Sequence, residues 1–161
     1  MNIAYLQLGS NLGDRESILD KSIQELENKV GFICDRSSIY ITAPWGVHGQ
    51  PEYLNQILKL QTNLSANCLL ENIMNIEYIL GRKRVKKWAN RVIDIDIILF
   101  NDTIIKQKDL FIPHKYMHER KFVLVPLNEI ASNYMHPIYN KTIHDLLIEC
   151  NDTHNVKKYE V

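Results

Sequence analysis

The sequence predicts an α+β fold in which helices flank a mainly antiparallel sheet, and three observations carry that prediction. Stretches of period-two alternation and stretches with apolar residues three and four apart follow one another in the order β-α-β-β-α-β. Turn-forming Gly, Pro, Asn and Asp residues separate them at short intervals. The chain of 161 residues shows no repeat and no linker-like stretch, so residues 1–161 are expected to form one domain.

Ile3 to Leu8 reads as a first strand and runs into the turn-rich Gly9-Ser10-Asn11-Leu12-Gly13-Asp14. A helix over about 14–29 follows, with Ile18, Leu19, Ile23, Leu26 and Val30 on one side and Gly31 as a left-handed stop. Residues 32–42 are β-rich, and 43–51 form a loop by their Pro and Gly content. Tyr53 to Leu64 resumes strand character. Ser65 caps a helix to Leu80 whose stripe is Leu69, Ile73, Ile76 and Leu80, and Gly81 ends it. A basic loop leads to a strand over 91–100, which is expected to turn at Asn101-Asp102 into a hairpin with Thr103–Lys106. A short strand near Leu110–Pro113, a helix over 122–130 interrupted or shifted at Pro126, and a helix over 142–150 complete the pattern. From about residue 151 a polar tail is expected to be mobile. The order of elements fits a ferredoxin-like (αβ-plait) sandwich with a mainly antiparallel sheet.

Nineteen basic and nineteen acidic residues cancel, which argues against a protein that coats nucleic acid through a broad positive field. Cys34, Cys68 and Cys150 are odd in number and widely spaced, as expected of thiols in a reducing, cytoplasmic setting. No apolar run reaches transmembrane length, and no targeting segment is evident, so no membrane partner is expected.

The run Arg91 to Phe100 departs from an ordinary buried strand. Asp94 and Asp96 share one face, while Ile93, Ile95, Ile97 and Leu99 are expected on the other. Residues two apart span roughly 6.6 Å, from which two carboxylates can converge on hard cations about 3.5–4 Å apart. An isolated Asp-x-Asp is more often an exposed edge or an ion-pair partner. Here the stretch Arg82, Lys83, Arg84, Lys86, Lys87 and Arg91, which contains no acid, lies just upstream. Three of the chain's six arginines fall in it, and their fork suits phosphate. The Gly9–Gly13 loop lacks a Walker A lysine and the third glycine of a dinucleotide fingerprint, so it reads as a structural turn. His114 and His118 stand four apart without the zincin pattern, and hydrogen bonding fits them better than zinc. Trp45 and Tyr53, with Thr42 and Asn55 nearby, would suit a flat heterocycle with polar edges as readily as a core.

Several segments in order resemble the 6-hydroxymethyl-7,8-dihydropterin pyrophosphokinases of folate biosynthesis. They are Gly9-Ser10-Asn11-Leu12-Gly13, Tyr40-x-Thr42-x-Pro44-x-Gly46, Gln50-Pro51-x-Tyr53-Leu54-Asn55, Gly81-Arg82, Arg91-x-x-Asp94-Ile95-Asp96, and Pro113-His114-x-x-Met117-His118-Glu119-Arg120-x-Phe122. The resemblance runs from Ala4 to Ala131. It implies transfer of pyrophosphate from ATP to the pterin, with Arg82, Arg91, Asp94 and Asp96 catalytic and two Mg²⁺ ions on Asp94 and Asp96. ATP contacts are implied for Glu77, Arg82, Arg84, Trp88, Arg91, Ile97, His114 and Arg120. Pterin contacts are implied for Thr42, Pro44, Trp45, Tyr53, Asn55 and Phe122. A monomer with these two small-molecule substrates, and no nucleic acid, is expected. Two departures stand out: Ala89-Asn90 replaces the usual Gly-Pro before Arg91, and Trp45 stands where smaller apolar residues are common. An RNA-binding αβ-plait and a two-metal nucleotidyl transferase are the competing readings. Zero net charge and the Asp-x-Asp beside the basic loop speak against the first.

Overall fold

Alternation along the first strand assigns the sheet two faces: Ala4, Leu6 and Leu8 point one way, Tyr5, Gln7 and Gly9 the other. The computed structural model describes residues 1–43, 49–81 and 92–160. Pro44, Trp45, Arg82, Arg84, Trp88 and Arg91, with the Ala89-Asn90 departure, lie outside the described residues.

Strand β1 (Asn2–Ser10) lies between β4 (Tyr53–Thr62) and β5 (Asp94–Phe100), antiparallel to both. β2 (Phe32–Arg36) and β3 (Tyr40–Thr42) pair with successive parts of β4 and together fill one strand position. The order β5-β1-β4-β3, with helices joining β1 to β2 and β4 to β5, is the expected ferredoxin-like plait.

The helices start where their caps dictate. Asp14 accepts the Ser17 amide at 3.2 Å to open α1 (Arg15–Lys29), and Ser65 accepts the Cys68 amide at 3.2 Å to open α2 (Ala66–Ile79). Both pack on one sheet face, where Leu19, Ile23, Leu26, Leu69, Ile73 and Ile76 meet Ala4, Leu6, Leu8, Leu58, Leu60, Ile95 and Ile97. Gly81 ends α2 in the left-handed region at φ 96°, as expected. Gly31 differs: its φ is not positive, and a Cβ there would fall 2.0 Å from the Gln61 carbonyl oxygen. That glycine permits close packing of the α1–β2 junction on β4 rather than a left-handed stop.

Among the described residues, helices cover the other face at one end only. There α3 (Lys121–Ala131) and α4 (Ile143–Glu149) lay Val123, Leu124, Leu127 and Leu146 on Tyr5, Ile57, Ile98 and Leu99. Leu99 therefore sits opposite its predicted face. The pairing of β1 with β5 slips between Tyr5 and Leu6, so Ile98 is an extra residue and the alternation reverses after it. Pro126 lies inside α3 without breaking it. An interior proline costs about 3 kcal/mol, whereas burying Val123, Leu124 and Leu127 contributes about 1.5–3 kcal/mol each. Burial wins.

Two connections differ from the sequence reading. Asn101, at φ 49°, makes the expected turn, but β6 (Ile105–Lys106) pairs with β7 (Phe111–Ile112) and not with β5. The expectation of a mobile tail is not met at β8 (Val156–Lys158), which pairs antiparallel with β3. Tyr159 also donates its hydroxyl to Glu16 at 2.7 Å.

Candidate active site

The end of the second face that no described helix covers carries polar side chains where the helix-covered end carries apolar ones. β5 contributes Asp94 and Asp96, paired in register with Gly9 and Gln7 of β1. Both aspartates are partly exposed, whereas Ile95 between them is 4% exposed and faces the helix-side core. The two acids therefore share one face, as the alternation predicts. From the helix side, the buried Glu77 carboxylate accepts the Ile95 amide at 2.9 Å. That bond anchors the strand between its two acids, a role the sequence did not suggest. Ile97 points with Ile95 into the helix-side core and is 5% exposed. Alternation turns the side chain away from the aspartate face, so the ATP contact expected at Ile97 falls to its backbone.

Next to Gly9 across β4 stands Asn55, which the inter-strand ladder places opposite Tyr40 of β3. Asn55 donates to the Thr42 hydroxyl at 2.7 Å and accepts from Gln7 Nε2 at 3.2 Å. All three side chains are buried. Gly9 leaves the space for them, since a Cβ there would lie 3.0 Å from Asn55 Oδ1 and 3.5 Å from the Tyr53 ring. Tyr53, half-buried, lies two residues before Asn55 on the same face. Gln7 escaped the sequence reading. The signal was there, in the one amide between Ile3 and Leu8, with the period that leads to Gly9.

The wall between open and covered ends comes from the segment after β7. The His114 amide donates to the Ile98 carbonyl at 2.9 Å, which docks this segment beside β5. Burial pulls the His114 pKa down to about 4; the Arg120 charge adds to the effect and Asp94 opposes it. Its Nδ1 accepts the Tyr116 amide at 3.3 Å, so the neutral ring carries its proton on Nε2. Burial also lowers the Arg120 pKa, while Asp96, Asp94, Tyr116 and Glu119 push it back up. The guanidinium lies 5.2 Å from the Tyr116 ring centre and 5.8 Å from that of Phe122. His114, Arg120 and the two aspartates thus share one electrostatic environment, with Phe122 of α3 at its border.

His118 does not join them. Its Nε2 is 3.3 Å from the Tyr139 hydroxyl and 3.6 Å from Glu119, a hydrogen-bonding role. The Gly9–Gly13 turn is structural as expected: Asn11 Nδ2 donates to the Pro51 carbonyl at 3.2 Å and Arg15 to that of Glu52 at 2.8 Å. These bonds hold the entry to β4.

Fold and site together are an antiparallel plait whose one sheet face brings two carboxylates beside a buried amide–hydroxyl pair. Comparison with known proteins gives the family. The profile of HPPK, 7,8-dihydro-6-hydroxymethylpterin-pyrophosphokinase, matches residues 5–132. The chain is 43% identical over 143 residues to the 2-amino-4-hydroxy-6-hydroxymethyldihydropteridine pyrophosphokinase of Aquifex aeolicus, covering 89% of each chain. With the Bacillus subtilis protein of the same description it shares 44% over 131 residues, 81% of this chain and 78% of that one. Among solved structures, a Plasmodium falciparum HPPK-DHPS chain with pteroate superposes with a TM-score of 0.76 at 20% identity, over 92% of this chain and 42% of that one. That likeness supports the fold alone, and this chain spans less than half of the solved one. The chain belongs to the 7,8-dihydro-6-hydroxymethylpterin-pyrophosphokinase family. Its activity is pyrophosphoryl transfer to hydroxymethyldihydropterin in folate synthesis.

Proposed function

We propose that ATP is the pyrophosphate donor, that Asp94 and Asp96 hold two Mg²⁺ ions, and that AMP is the leaving product. The observation that carries this reading is the pair of partly exposed carboxylates on one strand face, within the field of a desolvated Arg120. The donor set fits the metal. Magnesium prefers hard oxygens and takes one or two protein carboxylates, the rest of its shell being phosphate and water. When bound, it supplies neutralisation and alignment of the triphosphate.

The chain's own groups act by position and charge, as phosphoryl transfer requires. Arg120, poorly solvated, interacts strongly with a phosphate anion, and Arg82 and Arg91 stabilise charge moving toward the leaving AMP. His114, neutral at physiological pH, offers its Nε2 proton to a phosphate oxygen. Arg84 and Trp88 complete the nucleotide contacts, and Glu77, expected among them, acts on the nucleotide through the strand it holds from behind. Thr42 and Asn55 read the polar edge of the pterin, with Pro44 and Trp45 beside it and Tyr53 and Phe122 against its faces. The pterin hydroxymethyl oxygen then attacks the β-phosphorus. The enzyme works as a cytoplasmic monomer. Free Cys34 and Cys68, both exposed, support a reducing setting, and size-exclusion chromatography checks the assembly.

Incubation with ATP, the pterin and Mg²⁺ should yield AMP and the pterin diphosphate. Release of inorganic pyrophosphate instead would move the attack to the α-phosphorus and defeat the assignment. Asp96→Ala should abolish turnover with the melting temperature little changed, whereas a near-normal rate would defeat the metal role.

A further inference from the structure

Gln7 stands between the two halves of the site. In register it is the neighbour of Asp96 on β5, and its side chain reaches Asn55 on β4. It is 4% exposed, and its Oε1 has no hydrogen-bond partner among the described residues. Gln7 Nε2 donates to Asn55 Oδ1, and Asn55 Nδ2 donates to Thr42 Oγ1, so the three side chains form a relay with a direction. A buried amide that donates at one end of such a relay fixes the orientation of the next one. Without Gln7, nothing in this relay distinguishes the carbonyl of Asn55 from its amino group on the β1 side. The amide could then turn over and present donors where acceptors belong. Discrimination by such groups is large, because a mismatched polar edge leaves buried groups unpaired.

We propose that Gln7 is a positioning residue for the pterin: it acts through Asn55, sets which way that amide faces, and thereby selects the donor and acceptor pattern of the heterocycle. This rests on the assignment of Asn55 and Thr42 to the pterin edge. The unpartnered Oε1 fits this role, since it is the accepting end of an amide held in place from its donating end.

The test measures pterin and ATP-analogue binding by calorimetry for the wild type, Gln7→Met, Asn55→Ala and the double variant, each first shown to melt cooperatively. Gln7→Met should weaken pterin binding at least tenfold and leave ATP-analogue binding within twofold. In the Asn55→Ala background it should add nothing, because its route of action is gone. A Gln7→Met affinity for pterin within twofold of wild type overturns the proposal, as do effects of the two substitutions that multiply. Should Gln7→Met not fold, Gln7→Ala, which leaves space rather than crowding, carries the same expectations. Failure of the wild type to bind pterin would instead remove the assignment of the pterin edge.

Discussion

Gly9 is defined by what it lacks. Its missing Cβ lets Asn55 Oδ1 approach the backbone of β1, where an added Cβ would lie 3.0 Å away, and this neighbour is not free to yield. Asn55 is bonded on both sides, to Gln7 and to Thr42. Gly9→Ala should therefore weaken pterin binding about tenfold, equivalent to about 1.4 kcal/mol, with a smaller effect on folding. Calorimetry beside a thermal melt checks this, and unchanged affinity would show that Asn55 moves at little cost. Asp94 and Asp96 were legible as candidates because carboxylates are unusual at strand positions flanked by isoleucines, whereas Thr42 and Asn55 stood out by their place beside Trp45 and Tyr53. The role of Glu77 behind Ile95 was not legible, since the resemblance pointed only to an ATP contact and the strand that Glu77 supports had first to be placed. Trp45, Arg82, Arg84 and Arg91 were equally legible, but they belong to segments outside the described residues.

Elements with local signals were read closely, and elements chosen by partners were not. Asp14 and Ser65 fixed the starts of α1 and α2 because capping is decided within four residues of sequence. The bulge at Ile98, the pairing of β6 with β7, and the addition of β8 to β3 depend on contacts distant in sequence. The α1–β2 junction gives a direct check on one corrected feature. At Gly31 an added Cβ meets the Gln61 backbone carbonyl, which no rotamer change can move. Gly31→Ala should destabilise by about 1–3 kcal/mol, the range for overpacking, read as a lower urea midpoint at unchanged slope. A neutral result would mean that the junction relaxes away from β4. Removal of residues 156–161 tests β8 in the same way. A few hydrogen bonds worth about 0.5–1.5 kcal/mol each are lost, and β3, which carries Thr42, loses its outer neighbour. Both the melting temperature and the pterin affinity should fall.

At the scale of the whole molecule, one sheet serves two purposes because the described helices cover only half of its second face. The α3–α4 layer that covers it is closed by the turn around His136, which is 1% exposed. His136 Nδ1 accepts the Ile138 and Tyr139 amides, each at 3.2 Å, and burial with the neighbouring His118 lowers its pKa to about 4. Protonation would remove that acceptor from both amides. The unfolded ring titrates near 6.5, so between pH 6.5 and 4 the unfolded chain takes up a proton that the folded chain refuses. The stabilisation from the neutral ring is complete above pH 6.5 and fades as pH falls toward 4. The gap corresponds to about 3 kcal/mol at 1.36 kcal/mol per decade. His114 works in the same window and the same direction. Asp152 adds a loss at lower pH. Its burial raises the pKa, but hydrogen bonds from His154 and the Lys121 amide outweigh that and hold it below the ordinary carboxylate value. Urea denaturation between pH 7.5 and 4 should therefore show falling stability for the native chain and a shallower fall for His136→Gln, with the His114 share retained. Identical slopes for the two proteins would mean that the His136 ring titrates alike folded and unfolded, and that the turn is held by its backbone bonds to Lys141 and Asn140 alone.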